Sequence, residues 1–249
     1  MRLIGKMKFH ILRYLRILWF TIRYSVYKWK LLDGIEIPVY LNYGYSVLRF
    51  IDNNKYERSE ISIIKNTLEN NDIVLELGTG IGFVSAFCAK KIGDKNVFTF
   101  EANIYLKPII NELYKRNKVS PTLTFAMLGE VDTYEKFHRN KNSFLASSSQ
   151  KNRNEEYEAV TVLRKDINKV IKEICPTYLI MDIEGGEYDI FKLINFYTIK
   201  KIQFELHPLI LDRDKINSIF NRLRESNFIQ DTSHSYPDNF YFKKQDYSS

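Results

Sequence analysis

The chain has 249 residues, 45% of them hydrophobic and 27% charged, enough to bury one sizeable α/β core and too apolar for wholesale disorder. Its two cysteines, Cys88 and Cys175, stand far apart in apolar segments, which excludes a disulfide or zinc framework and fits a reducing, cytoplasmic setting. The net charge of +7 is not spread evenly: eight Lys/Arg and no acid precede Asp33, leaving 29 basic against 30 acidic residues in the rest, so a general nucleic-acid groove across the body is not expected.

Two units follow from that break, a basic segment over 1–32 and a main domain over 33–249. Charges interrupt every apolar run of the first, and its longest uncharged stretches fall far short of the roughly 20 residues a spanning helix needs. Helical spacing instead puts Ile4, Met7, Ile11, Leu15, Leu18, Ile22 and Trp29 on one face. Arg2, Lys6, Arg13, Arg16, Arg23 and Lys30 fall on the other, with Phe9, Phe20 and Tyr27 intruding. Such an amphipathic helix suits the surface of an anionic membrane, which would place the protein peripherally on the inner face of the cell membrane. It equally suits packing on the main domain or on a second subunit of a homo-oligomer.

Residues 35–51 alternate enough to suggest a β-hairpin turning near Asn42-Tyr43-Gly44, and 57–69 carry helical spacing. Strands are then expected at 73–77, 97–101, 122–127, 177–182 and 202–206, with helices at 82–91, 106–117, 188–195 and 212–225. A closing antiparallel pair is expected at 228–230 and 240–242. The polar stretch 131–158 shows no sustained period and reads as a long functional or mobile loop. Alternation of buried strands with helices predicts a Rossmann-like, mostly parallel, seven-stranded doubly wound sheet preceded by the N-terminal amphipathic helix.

The sharpest local pattern is Val74-Leu-Glu-Leu-Gly-Thr-Gly-Ile-Gly-Phe83, a strand running into glycines at 78, 80 and 82 before a helix. Glycine serves where the backbone turns sharply or a ligand approaches without a Cβ in the way. A dinucleotide fingerprint wants Gly or Ala where Phe83 stands, which disfavours a nicotinamide oxidoreductase. The spacing, with Glu76 just before it, matches a loop that holds S-adenosyl-L-methionine. Glu101, ending the next strand before Ala102, is placed to accept from two ribose hydroxyls. The expected cofactor residues are Glu76, Gly78, Thr79, Gly80, Gly82, Glu101 and Ala102. The bland alternative is a tight βα turn with a solvated glutamate.

Further along, Tyr178-Leu-Ile-Met-Asp-Ile-Glu-Gly-Gly-Glu187 and Ile202-Gln-Phe-Glu-Leu-His-Pro208 place Asp182, Glu184, Glu205 and His207 at strand ends on the same rim as the glycines. Asp182 is the first candidate base and His207 the second, since a neutral imidazole accepts a proton near pH 7; Glu205 joins them as a third candidate catalytic residue. Asp182 equally suits capping the following turn, His207 a hydrogen-bonded rim position, and Glu187 the start of the next helix. Asp182, Glu205 and His207 also offer the donors of a Mg²⁺ site, although acids at a strand rim are more often a plain polar network.

With LELGTGIG at 75–82, FEAN at 100–103, MDIEGGE at 181–187 and FELHP at 204–208, the chain resembles the FkbM-type methyltransferases over roughly residues 35–245. YERSE at 56–60 and TVLRKDI at 161–167 are similar to features of that family, whose glycine loop more often begins with Asp than with Glu76. The resemblance implies methyl transfer to oxygen, commonly on a sugar of a glycan, glycolipid or natural product. A carbohydrate acceptor is therefore expected, and no nucleic acid. An RNA or DNA methyltransferase is the nearest rival, without an Asn/Asp-Pro-Pro-aromatic base pocket to support it. A non-catalytic membrane-associated protein retaining the fold is another.

Overall fold

A computed structural model describes residues 15, 17–26, 28–140, 147–148, 157–208 and 210–245, so the helical reading of 1–14 and half of the expected loop lie outside the described residues. Residues 17–26 form a helix, α1. It docks through Phe20 and Tyr24, both buried, rather than through the expected aliphatic stripe. The Phe20 ring lies 6.1 Å from that of Tyr45, and the Tyr24 hydroxyl donates to Asp52 Oδ1 at 2.9 Å. Phe20, an intruder on the expected basic face, is thus an anchor, while Leu15, Leu18 and Ile22 stay in solvent. Trp29 belongs not to a helix but to a strand.

That strand corrects a second expectation. The hairpin is β1 (Trp29–Leu32) with β2 (Ile35–Pro38), and residues 45–52 are helical, α2 (Tyr45–Asp52). Asp33 and Gly34 both take positive φ, 47° and 81°, as a two-residue turn matching strand twist requires. In α2 the deciding pair is Leu48 and Ile51, three apart and both buried, a helical spacing that outweighs the looser alternation around it.

The main sheet runs through β3 (Val74–Leu77), β4 (Val97–Glu101), β5 (Thr122–Phe125), β10 (Tyr178–Met181), β11 (Lys201–Glu205), β12 (Phe228–Gln230) and β13 (Asn239–Lys244). Their order is β12-β13-β11-β10-β3-β4-β5. Strands β5, β4, β3, β10 and β11 are parallel; β13 pairs antiparallel with both β11 and β12. The closing pair is therefore antiparallel internally, but β13 alone opposes the rest of the sheet. Strand order reverses between β3 and β10, the switch point at which open α/β sheets bind ligands.

Side chains alternate across this sheet to feed two cores. Val74, Tyr178 and Ile180 face α3 (Arg58–Thr67), α4 (Phe83–Ile92) and α5 (Lys107–Asn117). Leu75, Leu77, Leu179, Met181 and Phe204 face α6 (Ile167–Ile174), α7 (Glu187–Leu193) and α8 (Arg213–Glu225). Each layer excludes water from one side of the β3–β10 seam, which is what fixes the loops at its end.

The described part of the stretch read as a loop is almost all strand. After β6 (Met127–Gly129), which splits from the expected 122–127 strand, come β7 (Thr133–Asn140), β8 (Ser147–Ser148) and β9 (Tyr157–Asp166) in a second sheet of order β6-β9-β7-β8. Phe137 and Val162 bury one face, and the ion pairs Arg139–Glu158 (2.5 Å) and Arg164–Glu135 (2.6 Å) lace the ladder. Polar residues dominate because most of this sheet faces solvent.

Candidate active site

A cavity of about 560 Å³ opens over the carboxyl ends of β3, β4, β10 and β11, within the range of small-ligand sites. Its floor is the glycine loop. Gly78 takes φ +88°, and a Cβ there would sit 1.7 Å from the carbonyl oxygen of Asp182, so β10 can close against the loop only where position 78 has no side chain. Asp182 N–H donates to Leu77 O at 2.9 Å and Gly78 N–H to Phe100 O at 2.9 Å, locking the ends of three strands together. Gly80, at φ +54°, turns the chain back toward α4.

Two buried glutamates hold this loop. Glu101 accepts from Gly80 N–H at 2.9 Å on one oxygen and from Asn103 N–H at 2.7 Å on the other. Burial pushes its carboxyl up to about 7 despite those donors. Glu76 lies beneath the loop, accepting from the Thr99 hydroxyl, which also contacts the Thr79 hydroxyl. Burial raises Glu76 to about 7 as well, against the hydrogen bonds of Thr99 and Ser85. Glu76, Gly78, Thr79, Gly80, Glu101 and Ala102 all line the cavity. Gly82 is not among the lining residues; it packs against Tyr114 and Ile110 and starts α4.

At the β10 and β11 end stands a cluster of acids around one imidazole. His207 Nδ1 is 2.9 Å from Glu187 Oε1, while Nε2 faces Asp182 Oδ1 at 3.7 Å and Glu184 Oε2 at 3.8 Å. Burial opposes its charge, but the bond to Glu187 and the charge of Asp182 outweigh it and push His207 up to about 9. That direction favours a protonated imidazole that donates, so His207 fits the place of a base less well than Asp182. Asp182 goes the other way: burial raises its carboxyl to about 7, with His207 pulling it back. Its Oδ1 is buried without a hydrogen bond, although a third of the side chain opens to the cavity. Glu205 is pushed up to about 8 by burial and by Asp182 and Glu60 alongside. Glu187 accepts from both Gly185 N–H (3.1 Å) and His207, so it serves the helix start and the imidazole together.

The structure adds residues the sequence did not single out. Glu57 sits just before α3 with left-handed φ of 47°, and burial with Glu60, Asp182 and Glu205 nearby holds its carboxyl well above the usual range. Glu60, buried, accepts from Asn239 Nδ2 at 2.5 Å, and Asn239 pairs across the sheet with Glu205. Phe137, Glu135 and Arg164 of the second sheet wall the far end of the cavity. The one available signal for Glu57 and Glu60 was the YERSE stretch; Asn239 offered none, because its role depends on strand pairing.

A doubly wound sheet with this glycine loop, a carboxylate at the end of the next strand and a cavity at the switch point is a Rossmann-like class I methyltransferase fold. The chain belongs to the FkbM methyltransferases: the methyltransferase FkbM domain matches residues 71–236. It is thus an S-adenosylmethionine-dependent methyltransferase by family and fold. Similar solved structures include a methyltransferase from Pyrococcus furiosus (14% identity, 94% of this chain and 98% of that one, TM-score 0.46). A precorrin-6y C5,15-methyltransferase from Geobacter metallireducens is similar at 12% identity over 76% of this chain and 86% of that one, TM-score 0.46. The Pyrococcus abyssi tRNA (uracil-54, C5)-methyltransferase in complex with S-adenosyl-L-homocysteine matches at 13% identity over 86% and 43%, TM-score 0.45. None of the curated proteins matches the sequence.

Proposed function

We propose that the chain transfers a methyl group from S-adenosyl-L-methionine to a hydroxyl of a sugar, with Asp182 as the base. The cofactor residues present fit that group: a floor without side chains at Gly78 and Gly80, and Glu101 facing a cavity large enough for a nucleoside. When bound it supplies an electrophilic methyl on a sulfonium. Glu101 would hold the ribose hydroxyls and Glu76 the loop from beneath.

The observation carrying the acceptor assignment is the acid cluster itself. Glu57, Glu60, Asp182, Glu184 and Glu205 line one end of the cavity, where the phosphates of a nucleic acid would call for basic side chains. The same carboxyls are hydrogen-bond acceptors suited to a neutral polyhydroxyl. Asp182, a third of whose side chain opens to the cavity, would take a hydroxyl proton as the oxygen attacks, and in-line alignment supplies much of the rest. His207, held by Glu187, would steady the Asp182 carboxylate and donate to a neighbouring hydroxyl. The test uses cofactor with a labelled methyl group and a cell extract containing glycans, RNA and protein. Label recovered in O-methyl sugars after acid hydrolysis is expected; label in nucleosides or amino acids would overturn the acceptor assignment. Calorimetry showing no cofactor binding would overturn the whole reading. Asp182→Asn should lower turnover by about 100-fold or more, far beyond any several-fold change in cofactor affinity.

A second reading has one observation in its favour. Asp182, Glu205 and His207 can present ligand atoms within 4.8 Å of one another, with His207 Nδ1 backed by Glu187 as metal-bound imidazoles usually are. A Mg²⁺ held there would orient two adjacent hydroxyls. Titration of the protein with Mg²⁺ alone decides it: heat of binding lost in Glu205→Gln supports the site, and no heat removes it.

A further inference from the structure

Helix α1 has two apolar faces, and the fold uses only one. At about 100° per residue, Phe20 and Tyr24 share the face turned to the domain. Leu15, Leu18, Ile22 and Val26 fall on the opposite side, with Trp19 at its margin. These side chains are 53%, 48%, 63% and 71% exposed for the four aliphatics and 44% for Trp19. A continuous aliphatic stripe in water costs free energy with no return inside this chain, and scattered single exposures do not line up in this way. Neither Ile22 nor Val26 takes part in the buried core, so nothing in the fold requires them to be apolar.

The charge beside the stripe says what covers it. Arg23 stacks its guanidinium over Trp19 at 4.8 Å, and Lys28 is exposed just beyond the helix. In sequence the eight Lys/Arg before Asp33 have no acid among them. A second copy of the chain docked stripe to stripe would bring Arg23 and Lys28 of the two copies together, which is unfavourable. A surface of anionic lipid complements them, and an aromatic ring with basic side chains at the edge of an aliphatic face is how interfacial helices sit at the headgroup level. No helix among the described residues is long and apolar enough to cross a membrane, so the helix would lie in the surface rather than span it.

We infer that the outer face of α1 docks the enzyme on an anionic membrane surface, with Leu15, Leu18, Ile22 and Val26 inserted below the headgroups. This docking is independent of the acceptor. Its test uses the full chain, vesicles of equal parts phosphatidylserine and phosphatidylcholine, and vesicles of phosphatidylcholine alone. The full chain should co-sediment with the anionic vesicles and weakly with the neutral ones, and raised salt should release part of the bound protein because only the charge component is screened. Ile22→Glu/Val26→Glu should lower the bound-to-free ratio roughly tenfold or more, with cofactor binding and thermal midpoint unchanged since both residues are exposed and outside the buried core. Equal sedimentation of the double variant and the parent chain, or no sedimentation of the parent chain, would overturn the inference. A dimer that dissociates in the double variant, without vesicle binding by either, would assign the stripe to a second copy instead.

Discussion

Removing the Glu101 carboxylate probes the fold and the cofactor site at once, and the structure gives a magnitude for each. In Glu101→Ala the N–H groups of Gly80 and Asn103 lose their acceptors at 2.9 and 2.7 Å. An orphaned buried donor costs about 1–3 kcal/mol; Asn103 is fully buried, while Gly80 faces the cavity and regains some hydration, so the sum is about 2–4 kcal/mol. A protein of this size loses roughly 2–4 °C of melting temperature per kcal/mol, which predicts a fall of about 5–15 °C in the absence of cofactor. The loss should be larger near pH 6 than above pH 8, because a carboxyl held at about 7 by burial is itself a burden once charged, and its removal relieves that burden. Cofactor affinity should drop by about 10- to 100-fold beyond this, from the lost ribose contacts. Thermal melting with and without S-adenosyl-L-methionine, alongside calorimetry, separates the two effects. A midpoint within about 2 °C of the parent, together with unchanged affinity, would refute both the tether and the ribose role.

Two further outcomes follow from the same geometry. Glu76 and Glu101 are both raised from 4.5 to about 7, so the folded state binds their protons more tightly than the unfolded chain. Their contribution to stability is then complete below about pH 4.5 and fades as pH rises through 7, and the cofactor-free melting temperature should fall between about pH 5 and 8. A rise over that window would show the two acids to be charged and satisfied in the fold. Gly78→Ala should abolish folding or cost more than about 4 kcal/mol, since its Cβ would lie 1.7 Å from the Asp182 carbonyl oxygen. Gly34→Ala, with a similar positive φ of 81° and nothing within 4 Å, should cost only about 1–2 kcal/mol of backbone strain; comparable urea midpoints for the two would contradict the close approach.

What was legible in the sequence is what one chain segment determines alone. Strands β3, β4, β10 and β11 are buried apolar runs, and Gly78, Glu101, Asp182 and His207 lie at their ends, so order along the chain places them. Elements that depend on a partner were not legible. β7 and β9 bury little beyond Phe137 and Val162, and their alternation is broken by charged residues whose mates, as in Arg139–Glu158, lie on the other strand. α1 illustrates a different failure: an amphipathic pattern says which residues segregate, not which side the domain takes. Here two aromatics, Phe20 and Tyr24, outcompeted a longer aliphatic stripe for the core. The acids of α3 were hidden for a similar reason, because Glu57 and Glu60 at a helix start read as ordinary N-terminal charges until the fold turns them toward Asp182 and Glu205.

The crowding of those acids bears on how the site works. Carboxyls gathered in one cavity raise one another and cost stability when charged, so a fold keeps them together only where something cationic offsets them. His207 offsets part, through Glu187 behind it and Asp182 in front. The sulfonium of the proposed cofactor would add a second positive charge close to the same rim, favouring ionised Asp182 at the moment a hydroxyl proton must be accepted. Binding of the cofactor and readiness of the base would then be coupled through charge alone, with no movement of the fold. Cofactor affinity in Asp182→Asn measures that coupling directly: a neutral side chain of the same shape cannot attract the sulfonium, so a several-fold weakening is expected that vanishes near pH 5, where Asp182 of the parent is protonated as well. Equal affinities at every pH would place the sulfonium beyond the reach of Asp182 and leave the carboxyl cluster to the acceptor or to a metal ion.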